Sequence, residues 1–327
     1  MREENKDRIT VFYPAKRVNI YDKQYNCLPS MLKVENFPPT LRPKKEEFLD
    51  FLCSKDCDIL MAWYGGLAGT EHSSEELVQS LSEEDWNMIE KCCDKRIVGR
   101  SDITFLLIPL MQRGIPCYYG PNYSSLADEL HTEETRKTTI EYLFKALHAT
   151  EEYTIDFSES SISGNDTPWT IRPGIASGRL IGGNLDTIYE ALENGVFKFN
   201  CESGDILFLE EVDPMYSWSK QKGIYGGMVQ KLNKLKETGV FDKISGIIIG
   251  KSKKPQVFNL EINEDIVVVD NATEEWYLRA AFKSVIDRNI PILANISCSH
   301  TVPMITLPLH KKVMMDTSNA QIKVFPK

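Results

Sequence analysis

The N-terminal half of the chain contains the stretch Arg96-Ile-Val-Gly-Arg-Ser-Asp-Ile-Thr-Phe-Leu-Leu-Ile-Pro-Leu-Met111. Its apolar, β-branched start predicts a strand over Arg96–Gly99, and the glycine predicts that the strand ends in a tight turn. The apolar run that follows predicts a helix over Asp102–Arg113. A strand, a turn and a helix in this order are typical of a parallel sheet covered by helices, so this stretch indicates an α/β fold.

The same alternation of short apolar runs and amphipathic stretches continues on both sides of this unit. The other strands predicted in the N-terminal half are Ile9–Tyr13, Asp58–Trp63 and Pro116–Tyr119, and the other predicted helices are Lys44–Cys53, Ser82–Lys91 and Thr135–His148. Parallel sheets of this kind bind ligands beyond the carboxyl ends of their strands. We therefore expect a site at that edge.

Residues 151–173 are rich in Ser, Asp, Thr, Gly and Pro, which predicts a connection between two domains. The strands predicted beyond it are Ile206–Leu209, Ile244–Ile249, Ile266–Val269, Ile292–Ile296, Lys312–Met315 and Gln321–Phe325, and the predicted helices are Asn184–Leu192, Gly227–Lys236 and Glu274–Arg288. The chain is thus predicted to form two α/β domains, at residues 1–160 and 178–327, with a linker at 161–177 and a cleft between the domains.

The composition indicates a globular protein that acts on a small partner. The chain has 327 residues, of which 42% are hydrophobic and 10% aromatic, and its formal net charge is −9. These values exclude a disordered or fibrous chain, and acidic charge along the whole length argues against a partner that is a nucleic-acid polymer. No apolar run approaches the roughly 20 residues that cross a bilayer, so we expect no membrane partner. The charged start lacks a signal-peptide core.

The eight cysteines show no C-x-x-C spacing. We interpret them as reduced thiols, which indicates a cytoplasmic protein, and we expect neither a metal site nor a cofactor.

Ser101 has two interpretations. At the junction of the predicted strand and helix, its hydroxyl would be exposed at the sheet edge beside backbone N–H groups, which is the setting of a nucleophile. Serine is also a common N-cap, and from this segment alone that structural role is the favoured one.

A nucleophilic serine needs a basic histidine and an acceptor that orients it. Of the five histidines, His300 follows an apolar strand through the short loop Ser297-Cys-Ser299, where catalytic groups tend to lie. Glu210 and Glu211 end another apolar strand, and because adjacent strand residues face opposite ways, one of them can point into a cleft. Each of these residues, taken alone, also fits a structural role.

Two glycine-rich segments complete the set of candidate motifs. Trp63-Tyr-Gly-Gly-Leu-Ala-Gly69 follows a strand and offers N–H groups for an oxyanion, but it matches neither G-x-G-x-x-G nor the P-loop. Gly178-Arg-Leu-Ile-Gly-Gly-Asn184 precedes a helix, where the glycines allow close backbone packing.

Taken together and in order, these segments resemble the LD-carboxypeptidase family of serine peptidases, which includes the murein tetrapeptide carboxypeptidases and the microcin C immunity proteins. The matching segments are Tyr64-Gly-Gly66, Gly99-Arg-Ser-Asp102, Gly120-Pro-Asn122, Gly182-Gly-Asn-Leu185, Ile206-Leu-Phe-Leu-Glu-Glu211, Gly246-Ile-Ile-Ile-Gly250 and Ser299-His-Thr-Val-Pro303 followed by Thr306-Leu-Pro308.

The resemblance implies a Rossmann-like parallel-sheet N-terminal domain, a smaller β-rich α/β C-terminal domain and an active site between them. It implies a triad of Ser101 as nucleophile, His300 as base and Glu210 as the orienting carboxylate, with Gly66 and Asp102 forming the oxyanion hole. The reaction would be hydrolysis of an amide bond without a metal or cofactor. Homodimers are usual in the family.

The substrate implied by the resemblance is a murein peptide with an L,D-peptide bond, as in peptidoglycan recycling, or a peptidyl or aminoacyl nucleotide, as in microcin immunity. Trp169 is the candidate for stacking on a nucleobase, although packing at the domain edge fits it equally well. Arg172 and Arg179 are candidates for pairing with a carboxylate or phosphate, and Asn122 of the Gly-Pro-Asn segment is a further substrate-binding candidate.

The chain departs from the family pattern at several positions. Residues 14–45 are irregular and rich in proline where the family has a strand, a turn and a long helix, and Tyr64, Arg100, Ser299 and His310 replace usual residues. None of these changes removes a triad member. They leave open an alternative function, namely a ligand-binding protein of the same fold without turnover.

Overall fold

The structure is a computed structural model that describes residues 7–12, 33–36, 45–64, 73–126, 132–163, 166–211, 226–252 and 271–326. The predicted strand Ile266–Val269 lies outside these ranges, as does most of the irregular segment 14–45.

Strands and helices alternate through the first half of the described chain. They are β1 (Arg8–Phe12), β2 (Lys33–Asn36), α1 (Lys45–Cys53), β3 (Ile59–Ala62), α2 (Glu75–Gln79), α3 (Glu83–Cys92), β4 (Arg96–Gly99), a 3-10 turn (Ser101–Ile103), α4 (Thr104–Gln112), β5 (Cys117–Tyr119), α5 (Tyr123–Leu126) and α6 (Glu133–His148).

Strands predominate in the second half. The elements are β6 (Tyr153–Asp156), α7 (Ser160–Ser163), β7 (Trp169–Arg172), β8 (Ile175–Asn184), α8 (Leu185–Glu193), β9 (Ile206–Glu210), α9 (Gly226–Lys236), α10 (Val240–Lys243), β10 (Gly246–Gly250), α11 (Asn271–Val285), β11 (Ile292–Ile296), β12 (Leu307–Leu309), β13 (Lys312–Asp316) and β14 (Gln321–Phe325).

The first sheet has the strand order β12-β5-β4-β3-β1-β2. Strands β1 to β5 pair in parallel, which confirms the parallel sheet predicted for the N-terminal half. Strand β12 comes from the end of the chain and pairs antiparallel with β5, so that Leu307 lies opposite Tyr119. The C-terminal half therefore contributes an edge strand to the N-terminal sheet, beside the strand that follows the Ser101 turn.

The second sheet has the order β6-β14-β13-β8-β9-β10-β11-β7. Its centre, β8 to β11, is parallel, and the flanking strands pair antiparallel. Because β9 and β11 run in the same direction, Glu210 and the chain that follows Ile296 emerge at the same edge of the sheet. This edge brings together the predicted acid and the loop of the predicted histidine.

The segment from Gly178 to Asn184 is part of the long strand β8 and not a loop before a helix. Its start pairs with β13 and its end with β9. A Cβ atom on Gly178 would lie 1.9 Å from the carbonyl oxygen of Gly204, and one on Gly182 would lie 1.9 Å from that of Phe208, both in the adjacent segment of the same chain. Gly182 also has φ +129°. The glycines are therefore required for close strand pairing.

The described sheets divide the chain differently from the predicted domain boundaries, which stay a prediction. The predicted linker 161–177 contains β7 and the start of β8, which belong to the second sheet, and β6 lies in that sheet although it precedes residue 160. The described part of the second sheet has eight strands against six in the first. Composition alone misses these strands because Ser, Thr and Gly interrupt them.

The apolar helix α4 packs between the two halves of the molecule. Every residue from Thr104 to Met111 is buried, which explains why the sequence shows no polar face. The helix contacts β5 of the first sheet and also β8 and α8 of the second half. Packing of α4 thus fixes the turn at its N-terminus against the second sheet.

Two further features of the described residues are a disulfide bond and the length of the helices. Cys53 and Cys92 form a disulfide between α1 and α3 with their Cα atoms 5.1 Å apart, so the expectation that all cysteines are reduced thiols is wrong for this pair. None of the helices in the described ranges is long and apolar enough to cross a membrane.

Candidate active site

Ser101 follows strand β4 and is separated from it by one residue, Arg100. Its φ angle is +66°, in the left-handed region that few residues other than glycine adopt. Such conformations cost about 1–3 kcal/mol and cluster at functional sites. Arg100 is the N-cap of the 3-10 turn and Ile103 that of α4, so the structure does not support the interpretation of Ser101 as a helix cap.

Two buried side chains hold the turn around Ser101. The Ser101 N–H donates to the hydroxyl of Tyr119 at 2.9 Å, and the Arg100 N–H donates to Oδ1 of Asn122 at 3.0 Å. Both side chains come from the end of β5 or from the chain just beyond it. The strand next to β4 therefore supports the turn from the side.

Glu210 is the last residue of β9, and its side chain is fully buried. Its Oε2 lies 3.1 Å from Nδ1 of His300. Its Oε1 accepts hydrogen bonds from Nδ2 of Asn184, at 2.8 Å, and from the hydroxyl of Tyr119. The carboxylate therefore contacts a histidine on one oxygen and two neutral donors on the other.

These contacts determine the charge of Glu210. Burial acts to raise the pKa of this carboxyl group, but the charge of His300 and the hydrogen bonds to the carboxylate outweigh burial and lower that pKa. Glu210 is thus ionised at neutral pH. Because an ionised carboxylate only accepts, Nδ1 of His300 carries a hydrogen toward Glu210, so that in the neutral imidazole the lone pair lies on Nε2.

Glu211 has a different environment although it is adjacent in sequence. It is 2% exposed, and its Oε1 lies 2.6 Å from Nζ of Lys231, which also contacts Asp186. Burial acts to lower the pKa of Lys231, but the two carboxylates outweigh it and raise that pKa. The prediction that Glu210 and Glu211 have separate environments is confirmed, and Glu210 is the one that contacts the histidine.

Asp102 follows Ser101 and is fully buried. Its carboxylate accepts from Ser73 Oγ and from Ser74 N, each at 2.7 Å, and its carbonyl oxygen accepts from Ser74 Oγ at 2.8 Å. Burial raises the pKa of Asp102 to about 6, against the effect of these hydrogen bonds. The side chain thus anchors the start of α2, and only the backbone N–H remains as the predicted oxyanion donor. Gly66, the other predicted donor, lies outside the described residues.

Comparison with known proteins gives a consistent result. The model of the LD-carboxypeptidase C-terminal domain matches residues 177–315. The chain is 28% identical over 305 residues to the microcin C7 self-immunity protein MccF of Escherichia coli. This alignment covers 87% of this chain and 78% of MccF. It is 26% identical over 239 residues to a probable murein peptide carboxypeptidase of Bacillus subtilis strain 168, which covers 72% of this chain and 63% of the relative. These matches support the resemblance to the LD-carboxypeptidase family that the sequence motifs indicate.

Solved structures of MccF share the fold. The wild-type apo structure superposes with a TM-score of 0.72 at 23% identity and covers 97% of this chain and 95% of its own. An MccF-like protein from Bacillus anthracis str. Ames gives a TM-score of 0.71 at 19% identity, with 98% and 97% covered. The two-domain α/β fold predicted from the sequence is therefore confirmed.

The structure places Arg172 and Arg179 away from Glu210 and His300. Arg172 lies opposite Ile292, at the amino end of β11, and donates to the carbonyl oxygens of residues 282, 286 and 288 at the end of α11. Arg179 forms two hydrogen bonds of 2.9 Å with Asp205. It precedes Asn184 by five residues along β8, or about 16 Å at the usual strand rise. These arginines lie at the opposite ends of the strands from Glu210 and His300, and their pairing with a substrate carboxylate or phosphate stays a prediction.

Two other predicted substrate contacts are also buried. Trp169 is 8% exposed and belongs to the hydrophobic core, which favours packing over stacking on a nucleobase. Asn122 is 4% exposed and supports the Ser101 turn through its hydrogen bond with Arg100. Both residues therefore shape the molecule around the site and do not form its exposed surface.

Sequence reasoning missed two residues at the site, Tyr119 and Asn184. Asn184 ends the Gly-Gly-Asn motif, yet its role as a donor to Glu210 follows only from the pairing of β8 with β9, which places the two residues opposite each other. Tyr119 directly precedes the Gly-Pro motif at the end of a strand adjacent to the nucleophile strand. That position is the one signal in the sequence that points to it.

In the described part of the chain, no group of three or more His, Cys, Asp or Glu side chains is arranged to hold a metal ion. Arg100 is the positively charged side chain nearest to the nucleophile in sequence, and its Nη1 donates to the carbonyl oxygen of Ser299 at 3.2 Å. This contact joins the nucleophile turn of one domain to the histidine loop of the other.

Proposed function

We propose that the protein is a serine hydrolase that cleaves an amide bond with a triad of Ser101, His300 and Glu210. The observation that carries the proposal is the network around Glu210. One carboxylate oxygen contacts His300 at 3.1 Å, and the other is linked through Tyr119 to the backbone of Ser101, which has a left-handed conformation. A buried carboxylate, a histidine and a serine on a strained turn form the constellation that activates a hydroxyl nucleophile.

In the proposed reaction, His300 removes the proton of the Ser101 hydroxyl as its oxygen attacks the carbonyl carbon. Glu210 keeps the hydrogen on Nδ1 and stabilises the imidazolium that forms. The backbone N–H of Asp102, with that of Gly66, donates to the oxyanion, and elsewhere the loss of one such donor costs about 3–4 kcal/mol. His300 then gives its proton to the leaving amine, and water releases the acyl group by the same steps.

Two substrate classes fit this chemistry. One is a peptidyl or aminoacyl nucleotide, in line with the similarity to MccF, structures of which contain glutamyl sulfamoyl guanosine and aspartyl sulfamoyl adenosine. The other is the L,D-peptide bond of a murein tetrapeptide, in line with the similarity to the Bacillus subtilis carboxypeptidase. The first class is the better supported, since the MccF match covers more of both chains.

A fluorophosphonate probe tests the triad. The wild-type protein should be labelled and Ser101→Ala should not, whereas equal labelling of both would refute Ser101 as the nucleophile. Hydrolysis of aspartyl sulfamoyl adenosine, compared with release of D-alanine from an L,D-tetrapeptide, then selects the substrate class. Ligand-dependent thermal stabilisation without product would instead indicate a binding protein that lacks turnover.

A cytoplasmic location and a homodimeric state complete the proposal. The location follows from the interpretation of the cysteines outside the Cys53–Cys92 pair as reduced thiols, and the dimer follows from the family resemblance. Sedimentation of the purified protein would test the dimer directly.

A further inference from the structure

Tyr119 connects the two domains at the centre of the site. Its side chain is fully buried at the end of β5, where it lies opposite Gly99 of β4 in the first sheet. Its hydroxyl accepts the Ser101 N–H at 2.9 Å and also contacts Oε1 of Glu210, which belongs to the second sheet. The nucleophile turn and the triad acid thus share one side chain.

The direction of these hydrogen bonds is fixed by the chemistry of the groups. A backbone N–H only donates, so the phenolic oxygen accepts at Ser101. A phenol carries one hydrogen, and the carboxylate needs a donor, so this hydrogen lies toward Glu210. Burial and the adjacent charge of Glu210 raise the pKa of Tyr119 well above its usual value, so the hydroxyl keeps its hydrogen.

We propose that Tyr119 is a positioning residue for the triad: its hydroxyl holds Ser101 in the left-handed conformation and holds Glu210 as an ionised acceptor for His300. This inference rests on the proposed function. It assigns different partners to the two carboxylate oxygens of Glu210. Tyr119 and Asn184 bind Oε1, and Oε2 is left for His300. It also commits the Ser101 N–H to Tyr119, so that this N–H is not available to stabilise the oxyanion.

The ring of Tyr119 is itself well fixed. It packs edge-to-face on Phe208 of β9 with the ring centroids 5.0 Å apart, and its backbone pairs with Leu307 of β12 on the other side. A phenylalanine would keep these packing contacts and remove only the hydroxyl. Tyr118 provides a matched control, because it lies on the same strand but belongs to the hydrophobic cluster on the other face of the sheet.

The experiment compares wild type, Tyr119→Phe and Tyr118→Phe by the rate of fluorophosphonate labelling across pH, with each sample normalised by its labelling endpoint. Loss of a hydrogen bond to a charged group should slow labelling of Tyr119→Phe at neutral pH by at least about tenfold. It should also move the acid limb of the profile to higher pH by about one pH unit, because a carboxylate with fewer donors retains the imidazolium more strongly. Tyr118→Phe should behave as wild type.

A second variant keeps the hydroxyl and should shift the acid limb in the opposite direction. Incorporation of 3,5-difluorotyrosine at position 119 makes the hydroxyl a stronger donor, so the acid limb should move to lower pH. If both changes at position 119 leave the acid limb where Tyr118→Phe has it, the positioning role is wrong even though the triad stands. If wild type is not labelled at all, the proposed function fails, and the role assigned to Tyr119 fails with it.

Discussion

Oε2 of Glu210 lies 3.1 Å from Nδ1 of His300, on the carboxylate oxygen that the scaffold donors leave open. The carboxylate is fully buried and ionised, and its buried position strengthens its contact with the imidazole. The geometry fixes the tautomer that a general base requires. It also predicts a large difference between the two adjacent glutamates.

Glu210→Gln should abolish most of the activity. The amide is neutral and offers a donor to Nδ1, which favours the wrong tautomer, and the equivalent change in another triad costs about 10⁴-fold in kcat. We therefore expect kcat to fall about 10³–10⁴-fold with little change in KM. Steady-state kinetics on the substrate selected above provides the measurement.

Glu211→Gln is the matched control for this change. It removes the buried carboxylate that contacts Lys231, whose side chain is 13% exposed and keeps Asp186 as a partner, so we expect a loss of stability of about 1–3 kcal/mol with kcat near that of wild type. Urea denaturation measures the first quantity. Equal kinetic losses in the two variants would contradict the separate environments of the two carboxylates.

Asn184 performs two tasks that substitution can separate. Its Nδ2 donates to Glu210, and its Oδ1 caps α8 by accepting the Thr187 N–H at 2.9 Å. Asn184→Ser keeps a capping oxygen, whereas Asn184→Ala removes it, so the alanine variant should be less stable than the serine variant by about 0.5–2 kcal/mol. Both lose the donor to Glu210, and kcat should fall about tenfold in each. A serine variant with wild-type kcat would show that the donor has no role.

The sequence predicts the main elements of the parallel sheets well. Strands Arg96–Gly99, Ile292–Ile296 and Gln321–Phe325 have the predicted bounds, because each is a short apolar or alternating run beside a clear turn signal. Strands β6 and β7 are missed, since polar residues lie within them and their partners are far away in the chain. Pairing between distant segments is a tertiary effect that a local pattern does not contain.

The same distinction between local sequence patterns and tertiary pairing applies to the candidate site. Glu210 and His300 were predicted from strand ends and the ordered motifs, and the structure brings these two side chains into contact. Arg172 and Arg179 were predicted from chemistry alone, which gives no information on which end of a strand they occupy. Their positions follow from the register of β7 and β8 with their neighbours.

Gly182→Ala should prevent the second sheet from forming correctly. The residue has φ +129°, and a Cβ atom would lie 1.9 Å from the carbonyl oxygen of Phe208, which is backbone and cannot move aside. We expect little soluble folded protein, or a loss of more than about 3 kcal/mol in the free energy of unfolding.

Gly195→Ala is the control for Gly182→Ala. Gly195 also has a positive φ, +67°, but a Cβ atom there meets no atom within 4 Å. Its replacement should cost only about 1 kcal/mol, from the backbone conformation alone. Thermal denaturation of the two variants separates the steric effect from the conformational one, and equal losses would contradict the close pairing of β8 with β9.

The raised pKa of Asp102 predicts that the free energy of unfolding depends on pH. Its pKa is raised from 3.8 to about 6 in the folded protein by burial, so between these values the folded state binds more protons than the unfolded state. The contribution of Asp102 to stability is therefore fully present below about pH 4 and is lost as pH rises to about 6. Asp102→Asn does not titrate and serves as the reference at every pH. Urea denaturation should show the stability of wild type relative to Asp102→Asn falling by about 1–3 kcal/mol between pH 4 and pH 6.5. A relative stability that rises over this range would mean that the hydrogen bonds from Ser73 and Ser74 outweigh burial and that Asp102 is a stably ionised anchor for α2.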